Sequence, residues 1–342
     1  MRKYVTLGNV CKKGSSNIAQ KDIENSNGTY AIYGASGYIK DVNFYHQDKP
    51  YIAVVKDGAG IGRTMLLPEK TSVIGTLQYL IPNDSISVKY LYYAVTYMNL
   101  SKYFTGATIP HIYFKDYQKE LLPLPPMEKQ QEIAGNLEKI DTMIGLCNSI
   151  MERMNILVKS RFVEMFGDPR QNDKQFETII GENFFKLSNG KTISAKKRKQ
   201  TGIPAYGGNG ISWYTDDVLF EKDTLVVGRV GFQSGNVHLA YAPLWVTDNA
   251  MYISKFHVDE YDLIFLCALM EHINFTRFQD AGDLKKITQK PFMQMEYIFP
   301  PMEMQYRYSD FVHQIDKSKL AVKECLEKAE YLKSALMQEY FG

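Results

Sequence analysis

The sequence of 342 residues is too long for one ordinary hydrophobic core, and it fits two domains of roughly 100–200 residues with connecting segments. Apolar residues make up 45% of it and aromatic residues 13%, which is enough for packed cores and excludes a disordered chain. A net charge of +2 excludes the strongly basic composition from which nucleic-acid binding can be inferred directly, so any DNA surface has to be a local patch.

The first 124 residues predict a mixed α/β domain with short strands. Tyr51–Val55 is an apolar run that leads into a glycine-rich turn from Gly58 to Arg63. This turn resembles a dinucleotide-binding loop, but Arg63 stands where the third glycine belongs and a strand pattern follows, so a hairpin turn is favoured. A helix is predicted around residues 88–100.

Residues 125–167 predict one long amphipathic helix. Pro125 and Pro126 mark its start, and Gly167 followed by Pro169 marks its end. Apolar residues recur at alternating intervals of four and three, which is the spacing of a coiled-coil seam. The seam residues are Ile133, Leu137, Ile140, Ile144, Cys147, Met151, Met154 and Val158.

Residues 168–299 predict a second mixed α/β domain, and residues 300–342 predict a second long helix. In the domain, Thr224–Val227 predicts a strand that leads into a glycine-rich turn, and residues 261–275 predict a helix. Strand order is not predicted in either domain. The second helix keeps a weaker stripe, interrupted by Lys319 and Lys333, at Val312, Ile315, Val322, Leu326, Ala329 and Leu336.

The two halves of the chain repeat each other. Pro125–Glu128 recurs as Pro300–Glu303, and this offset of 175 holds without a gap as far as Phe166 and Phe341. Upstream, an offset of 173 pairs the glycines of the two strand-following turns. The order is therefore domain, helix, domain, helix. Each helix carries one apolar stripe, so an antiparallel or crossed helix pair, each helix about 60 Å long, is expected to separate the domains.

The usual signatures of catalysis and metal binding are missing from the sequence. The four cysteines and six histidines are isolated and lack zinc-ligand spacing. No G-x-S-x-G elbow is present, nor the N-P-P-aromatic motif of adenine methyltransferases. The N-terminus lacks a signal peptide and no apolar run could span a membrane, so we expect a soluble, cytoplasmic protein with no cofactor of its own.

Candidate DNA contacts are polar and basic residues in or beside the repeated turns. Residues 1–124 carry 14 basic and 9 acidic side chains, whereas residues 170–299 carry 15 of each. The polar and basic side chains of these candidates suit hydrogen bonding to base edges and phosphates. The basic run at 196–199 could instead be a solvated loop. The loops near 106 and 282 could instead be simple turns that need a glycine. The candidates are Lys56, Arg63, Thr105, Gly106, His111, Lys196, Lys197, Arg198, Lys199, Arg229, Gln233, Ser234, Asn236, Lys285 and Lys286.

This arrangement resembles the specificity (S) subunit of type I restriction–modification enzymes over essentially the whole chain. The resemblance depends on Leu122–Glu128 entering a long helix, on its copy Phe299–Glu303, and on the closing Phe-Gly pairs. Turns such as Tyr206–Gly210 and Val227–Gly231 are also similar to those of the family.

The resemblance implies two target recognition domains, 1–124 and 168–299, each of which reads one half of a bipartite site in double-stranded DNA. Antiparallel spacer helices, 125–167 and 300–342, would set the half-site gap and dock two methyltransferase subunits, which supply S-adenosylmethionine. A restriction subunit could join the assembly. The chain itself would be non-catalytic.

Two alternatives remain open at this point. The chain could be the recognition subunit of a two-chain enzyme that cuts on both sides of its site. It could instead be a coiled-coil scaffold whose twin domains bind proteins, which the near-neutral charge would suit. An enzyme is the weakest interpretation because its motifs are missing.

Overall fold

A computed structural model describes residues 3–106, 110–282 and 285–342. The elements up to the first long helix are β1 (Tyr4–Thr6), α1 (Leu7–Val10), β2 (Cys11–Ser15), β3 (Tyr30–Gly34), β4 (Gly37–Val42), β5 (Tyr51–Val55), β6 (Thr64–Leu67), β7 (Ser72–Val73), β8 (Leu77–Pro82), α2 (Val88–Tyr97), α3 (Phe114–Tyr117), β9 (Leu121–Pro123) and α4 (Met127–Phe166). Then follow β10 (Thr178–Ile180), α5 (Gly181–Phe184), β11 (Phe185–Asn189), β12 (Ile203–Gly207), β13 (Gly210–Thr215), β14 (Thr224–Gly228), β15 (Val237–Ala240), β16 (Trp245–Val246), β17 (Ala250–Phe256), α6 (Leu263–Ile273), α7 (Lys290–Gln294), β18 (Glu296–Ile298) and α8 (Met302–Phe341). The predicted mixed α/β class with two long helices is confirmed.

The chain divides into two compact units whose boundary falls inside both long helices. The first unit joins Met1–Asn148 to Lys323–Gly342, and the second is Ser149–Val322. Each unit therefore contains one α/β domain, a segment of α4 and a segment of α8.

The first domain is built on a four-stranded antiparallel sheet with the order β2-β8-β5-β6. Its strand β5 is buried on both faces, which explains the unbroken apolar run in the sequence. Ile52 and Val54 pack into the cluster that includes α2, whereas Ala53 and Val55 pack towards the smaller sheet β4-β3-β7. The hairpin predicted between residues 55 and 64 is confirmed by the antiparallel pairing of β5 with β6.

The second domain repeats this topology strand by strand. Its sheets have the orders β11-β17-β14-β15 and β13-β12-β16. Leu225 and Val227 point to one cluster and Val226 to another, as in β5. In each domain a two-stranded sheet, β1 with β9 or β10 with β18, joins the start of the domain to the residues that precede the long helix.

Within the first unit, the N-terminal part of α4 packs antiparallel to the C-terminal part of α8. Ile133 and Leu137 share a core cluster with Met337 and Phe341. The Nζ of Lys333 lies 2.5 Å from Oδ1 of Asp141, so the lysine that interrupts the apolar stripe is accommodated by an ion pair.

Within the second unit, the C-terminal part of α4 packs against the start of α8 and against the second domain. The ring of Phe166 lies 4.7 Å from that of Phe265, and the ring of Phe162 lies 5.6 Å from that of Tyr308. All of the predicted seam residues on both helices are buried or half-buried. The contribution of these aromatic residues near the helix ends was not predicted from the sequence.

A buried glutamine connects each long helix to the domain before it. The side chain of Gln130 accepts a hydrogen bond from the backbone N–H of Ser87 (2.8 Å) and donates to the carbonyls of Ser85 and Pro125. Gln305 likewise accepts from the N–H of Asp262 (3.3 Å) and donates to the carbonyl of Pro300. Ser87 and Asp262 are the residues that precede α2 and α6, so the glutamines fix both helix starts.

We expect Gln130→Ala and Gln305→Ala each to lower the free energy of unfolding by about 1–3 kcal/mol, because each truncation leaves buried backbone groups without partners. Chemical denaturation followed by circular dichroism measures the change. Gln131→Ala is the matched control, since Gln131 is an exposed neighbour and its loss should cost less than about 0.5 kcal/mol. Equal effects of Gln130→Ala and Gln131→Ala would contradict this role.

The four cysteines are free thiols in different surroundings. Burial raises the pKa of Cys11 to about 12 and that of Cys267 to about 12. Burial, and then the neighbouring Cys325, raise the pKa of Cys147, whereas Cys325 itself is exposed. Only the thiolate is nucleophilic, so Cys325 should be the reactive thiol.

A disulfide reagent applied to the folded protein near pH 8 should therefore modify one thiol rapidly. The Cys325→Ser variant should lose this fast phase, whereas Cys11→Ser should keep it. Rapid modification of the Cys325→Ser protein would show that another cysteine is accessible.

Candidate nucleic-acid interface

In the first domain, the β5–β6 turn lies directly against the segment that follows residue 109. The backbone carbonyl of Lys56 accepts a hydrogen bond from Ile112 N–H (3.0 Å), and Gly58 N–H donates to the carbonyl of Pro110 (3.1 Å). Thr105 and His111 exchange both backbone hydrogen bonds (2.9 and 3.0 Å). The structure therefore brings together two stretches that the sequence analysis selected separately.

The second domain repeats this junction at equivalent positions. The carbonyl of Arg229 accepts from Ile287 N–H (3.0 Å), and Gly231 N–H donates to the carbonyl of Lys285 (2.8 Å). Each of the four residues is the counterpart, by the repeat offsets, of one in the first domain. We call these two places the first loop junction (residues 56–63 with 105–106 and 110–112) and the second loop junction (residues 229–236 with 280–282 and 285–289). In the loops near 106 and 282, residues 107–109 and 283–284 lie outside the described residues.

The side chains of the first loop junction form a network of their own. A carboxylate oxygen of Asp57 lies in very short contact with Nδ1 of His111, and Lys56 Nζ is 3.8 Å from the other oxygen. The centre of the His111 ring lies 4.1 Å from that of the Tyr113 ring, and the two rings are tilted by 49°. The cation and the carboxylate at this junction therefore neutralise each other.

The second loop junction borders an open cavity of about 540 Å³. Its lining residues are Asn189, Arg229, Val230, Met251, Asp280, Lys286, Ile287, Thr288 and Gln289. Gln289 Nε2 donates to Oδ1 of Asn189 (3.3 Å), which fixes the two amides relative to each other. Arg229 Nε is buried without a hydrogen-bond partner among the described residues. The cavity thus combines donors, acceptors and an apolar wall.

The tip of the second loop carries Phe232, whose surface is 86% exposed. The loop itself is held in place, because Gln279 Nε2 donates to the carbonyls of Ser234 (2.6 Å) and Phe232 (3.2 Å). Gln233 and Asn236 contact each other through their side chains, and Ser234 is buried. Gln233, Ser234 and Asn236 thus lie within this loop, and their contact with DNA stays a prediction. The exposed Phe232 at the tip was not among the predicted residues.

Arg63 and the basic run at 196–199 are tied to neighbouring hairpins. Arg63 is exposed, and its Nη1 donates to the carbonyl of Ala35 in the β3–β4 turn (3.0 Å). Lys197 pairs with Asp217 (2.9 Å), Lys199 makes a very short contact with Asp216, and the Arg198 guanidinium lies 5.1 Å from the centre of the Trp213 ring. The contacts of Lys197, Arg198 and Lys199 are therefore with β13 and the residues after it. Their role in DNA binding stays a prediction.

Three residues that line the cavity of the second loop junction were not predicted from the sequence: Asn189, Asp280 and Gln289. They come from three separate segments that only the sheet and the loop junction bring together. An aromatic residue between two turn glycines, as at Phe232, was a signal that could have been used.

Within the described ranges, no group of three or more His, Cys, Asp or Glu side chains is arranged to hold a metal ion. No helix in this part of the chain is both long enough and apolar enough to cross a membrane.

Residues 2–154 and 174–330 match the family model of the type I restriction modification DNA specificity domain. The chain belongs to this family. The two matched segments correspond to the two halves of the internal repeat, and the predicted membership is confirmed.

Curated relatives agree with this assignment. The type I restriction enzyme MjaVIII specificity subunit of Methanocaldococcus jannaschii is 30% identical over 38% of this chain and 32% of its own length. The putative MjaX specificity subunit of the same organism is 25% identical over 74% of this chain and 68% of its own length. A putative type I specificity subunit of Mycoplasma genitalium is 21% identical over 96% and 90%.

Solved structures show the same fold. The crystal structure of a type I restriction-modification S subunit from M. genitalium aligns with a TM-score of 0.72 at 16% identity, covering 100% of this chain and 96% of that one. A chain from a study of complex assembly and conformational transition of the type I system aligns with a TM-score of 0.58 at 13% identity, covering 99% and 97%. At these identities the likeness concerns the fold alone.

Proposed function

We propose that this chain is the non-catalytic DNA-reading subunit of a type I restriction–modification enzyme and acts in the cytoplasm. Each domain, 1–124 and 168–299, reads one half of a bipartite site in double-stranded DNA. The observation that carries the proposal is the duplicated loop junction, which recurs with the same backbone hydrogen bonds in both domains but different side chains. Two copies of one scaffold with different reading groups suit two different half-sites.

The long helices set the gap between half-sites and dock two modification subunits, one near each proline-led helix start. The modification subunits bring S-adenosylmethionine and transfer its methyl group to adenine, and a restriction subunit can join the complex. One of the solved structures with this fold comes from work on complex assembly of the type I system. This supports a partner-bound state for the present chain.

Coexpression of the chain with its modification subunit, in a host that lacks adenine methylation, tests the proposal. Long-read sequencing of the host DNA should find one split motif that is methylated on adenine in both half-sites. The matched control is the modification subunit alone. If the motif does not depend on the chain, the chain does not read DNA. Binding of the purified complex to the motif should also weaken steeply with added salt, which a purely protein-binding scaffold would not do.

The spacer role has its own test. One heptad inserted after Asn148 and one after Val322 adds about 10 Å to each helix and keeps the apolar stripe in phase. We expect both half-sites to be retained while the gap widens by about three base pairs, at 3.4 Å for each. A changed half-site with an unchanged gap would contradict this role.

A further inference from the structure

Arg229 lies in the second loop junction, and its side chain has no partner among the described residues. Among residues 3–106, 110–282 and 285–342, its guanidinium makes no hydrogen bond or ion pair, and its Nε is buried. Buried polar groups in folded proteins nearly always have partners, and a lone one is retained where an unseen water, ion or ligand satisfies it. The cavity of about 540 Å³ beside Arg229 leaves space for such a ligand.

The equivalent position in the first domain is chemically different. Lys56 holds the same backbone position, but its Nζ lies 3.8 Å from Asp57, whose carboxylate also contacts His111. The residues that correspond to Asp57 and His111 are Val230 and Lys286. At these two positions the second junction thus has an apolar side chain in place of the carboxylate and a lysine in place of the histidine, while the carboxylate that lines its cavity is that of Asp280.

The other lining groups narrow the chemistry of the ligand. An arginine guanidinium matches the O6 and N7 acceptors that guanine presents in the major groove, and a carboxylate can accept from the N4 amino group of the paired cytosine. Both groups line this one cavity, as Arg229 and Asp280. Val230, Met251 and Ile287 form its apolar wall, and the lower local dielectric beside apolar side chains strengthens such hydrogen bonds.

We propose that Arg229 reads a guanine in the half-site of the second domain by donating hydrogen bonds to its O6 and N7, while Asp280 accepts from the paired cytosine. This proposal rests on the proposed function. Lys286, which is exposed at the same cavity, contacts the neighbouring phosphate and adds affinity without base specificity.

The first test measures specificity with Arg229→Gln and Arg229→Lys in complex with the modification subunit. We expect both variants to accept other bases at one guanine of one half-site, with discrimination reduced roughly tenfold or more, while the other half-site stays unchanged. Arg229→Lys keeps the charge but loses the planar fork, so its affinity for the original site should remain within a few fold. Lys286→Gln is the matched control and should weaken binding to all sequences alike.

The second test needs no variant. DNA in which single guanines are replaced by 7-deazaguanine lacks the N7 acceptor, and the unaltered complex should bind it roughly tenfold more weakly at that one guanine. The proposal is overturned if both Arg229 variants leave the motif unchanged. It is also overturned if Arg229→Gln weakens binding to all sequences and Arg229→Lys restores it, which would indicate a phosphate contact. A complex that methylates no motif at all contradicts the proposed function, whereas a motif that ignores Arg229 contradicts only this inference.

Discussion

Phe341→Ala should lower the stability of the first unit by about 3–5 kcal/mol, although residue 341 lies more than 200 positions along the chain from the domain that it stabilises. The Phe341 side chain is only 7% exposed. Its ring lies 5.2 Å from that of Tyr90 and 6.1 Å from that of Tyr97, both on α2. Removing the ring opens a cavity between the first domain and the end of α8.

Amide hydrogen exchange followed by mass spectrometry measures this effect by region. Protection should fall across the first unit, in β5, β8 and α2, while the second unit keeps its protection. Tyr331→Ala is the control on the same helix, because Tyr331 is 78% exposed and its loss should change stability by less than about 0.5 kcal/mol. If protection falls only in the last turns of α8, Phe341 does not support the domain.

Gly235→Ala should destabilise the second domain by at least about 2 kcal/mol and abolish DNA binding through the second loop junction. Gly235 has φ +92°, which an L side chain rarely adopts. An added Cβ would also lie 2.8 Å from the backbone of Phe275 and Thr276. Because backbone atoms cannot move aside as a flexible side chain can, the loop that carries Arg229 would have to shift.

Gly231→Ala is a matched control within the same loop. Gly231 has φ +93°, but an added Cβ there would meet none of the described residues within 4 Å, so the backbone strain of about 1 kcal/mol is the expected cost. Thermal unfolding and DNA binding of the two variants give the comparison. If the two substitutions cost the same, the close approach of the loop to Phe275 does not determine its position.

Local pattern and repetition predicted the two long helices, one helix in each domain and the strands beside the glycine-rich turns. The apolar run at 51–55 is β5, and the helix bounded by Pro126 and Gly167 is α4 (Met127–Phe166). The helix predicted at 88–100 ends earlier, at Tyr97, and a 3₁₀ turn follows after Asn99, which adopts a left-handed conformation. These predictions succeeded because periodicity and helix-stop residues act locally.

Contacts between residues far apart in the sequence could not be predicted from such local patterns. The strand order depends on which apolar faces meet, and the role of Phe341 depends on α2, far away in sequence. The sequence placed Arg229 and Lys286 in separate loops, but it did not predict that Asn189, Asp280 and Gln289 would complete a cavity with them. The difference between Lys56 and Arg229 became meaningful only when their shared backbone hydrogen bonds were known.

The composition of the first unit also affects the order of events during protein synthesis. Its core requires residues 323–342, so the N-terminal domain leaves the ribosome long before its last packing partners are translated. Contacts between residues so distant in sequence form slowly, and the waiting domain exposes the apolar surface that α8 later covers. Until α8 has been translated, the nascent chain therefore exposes this apolar surface to chaperones and proteases.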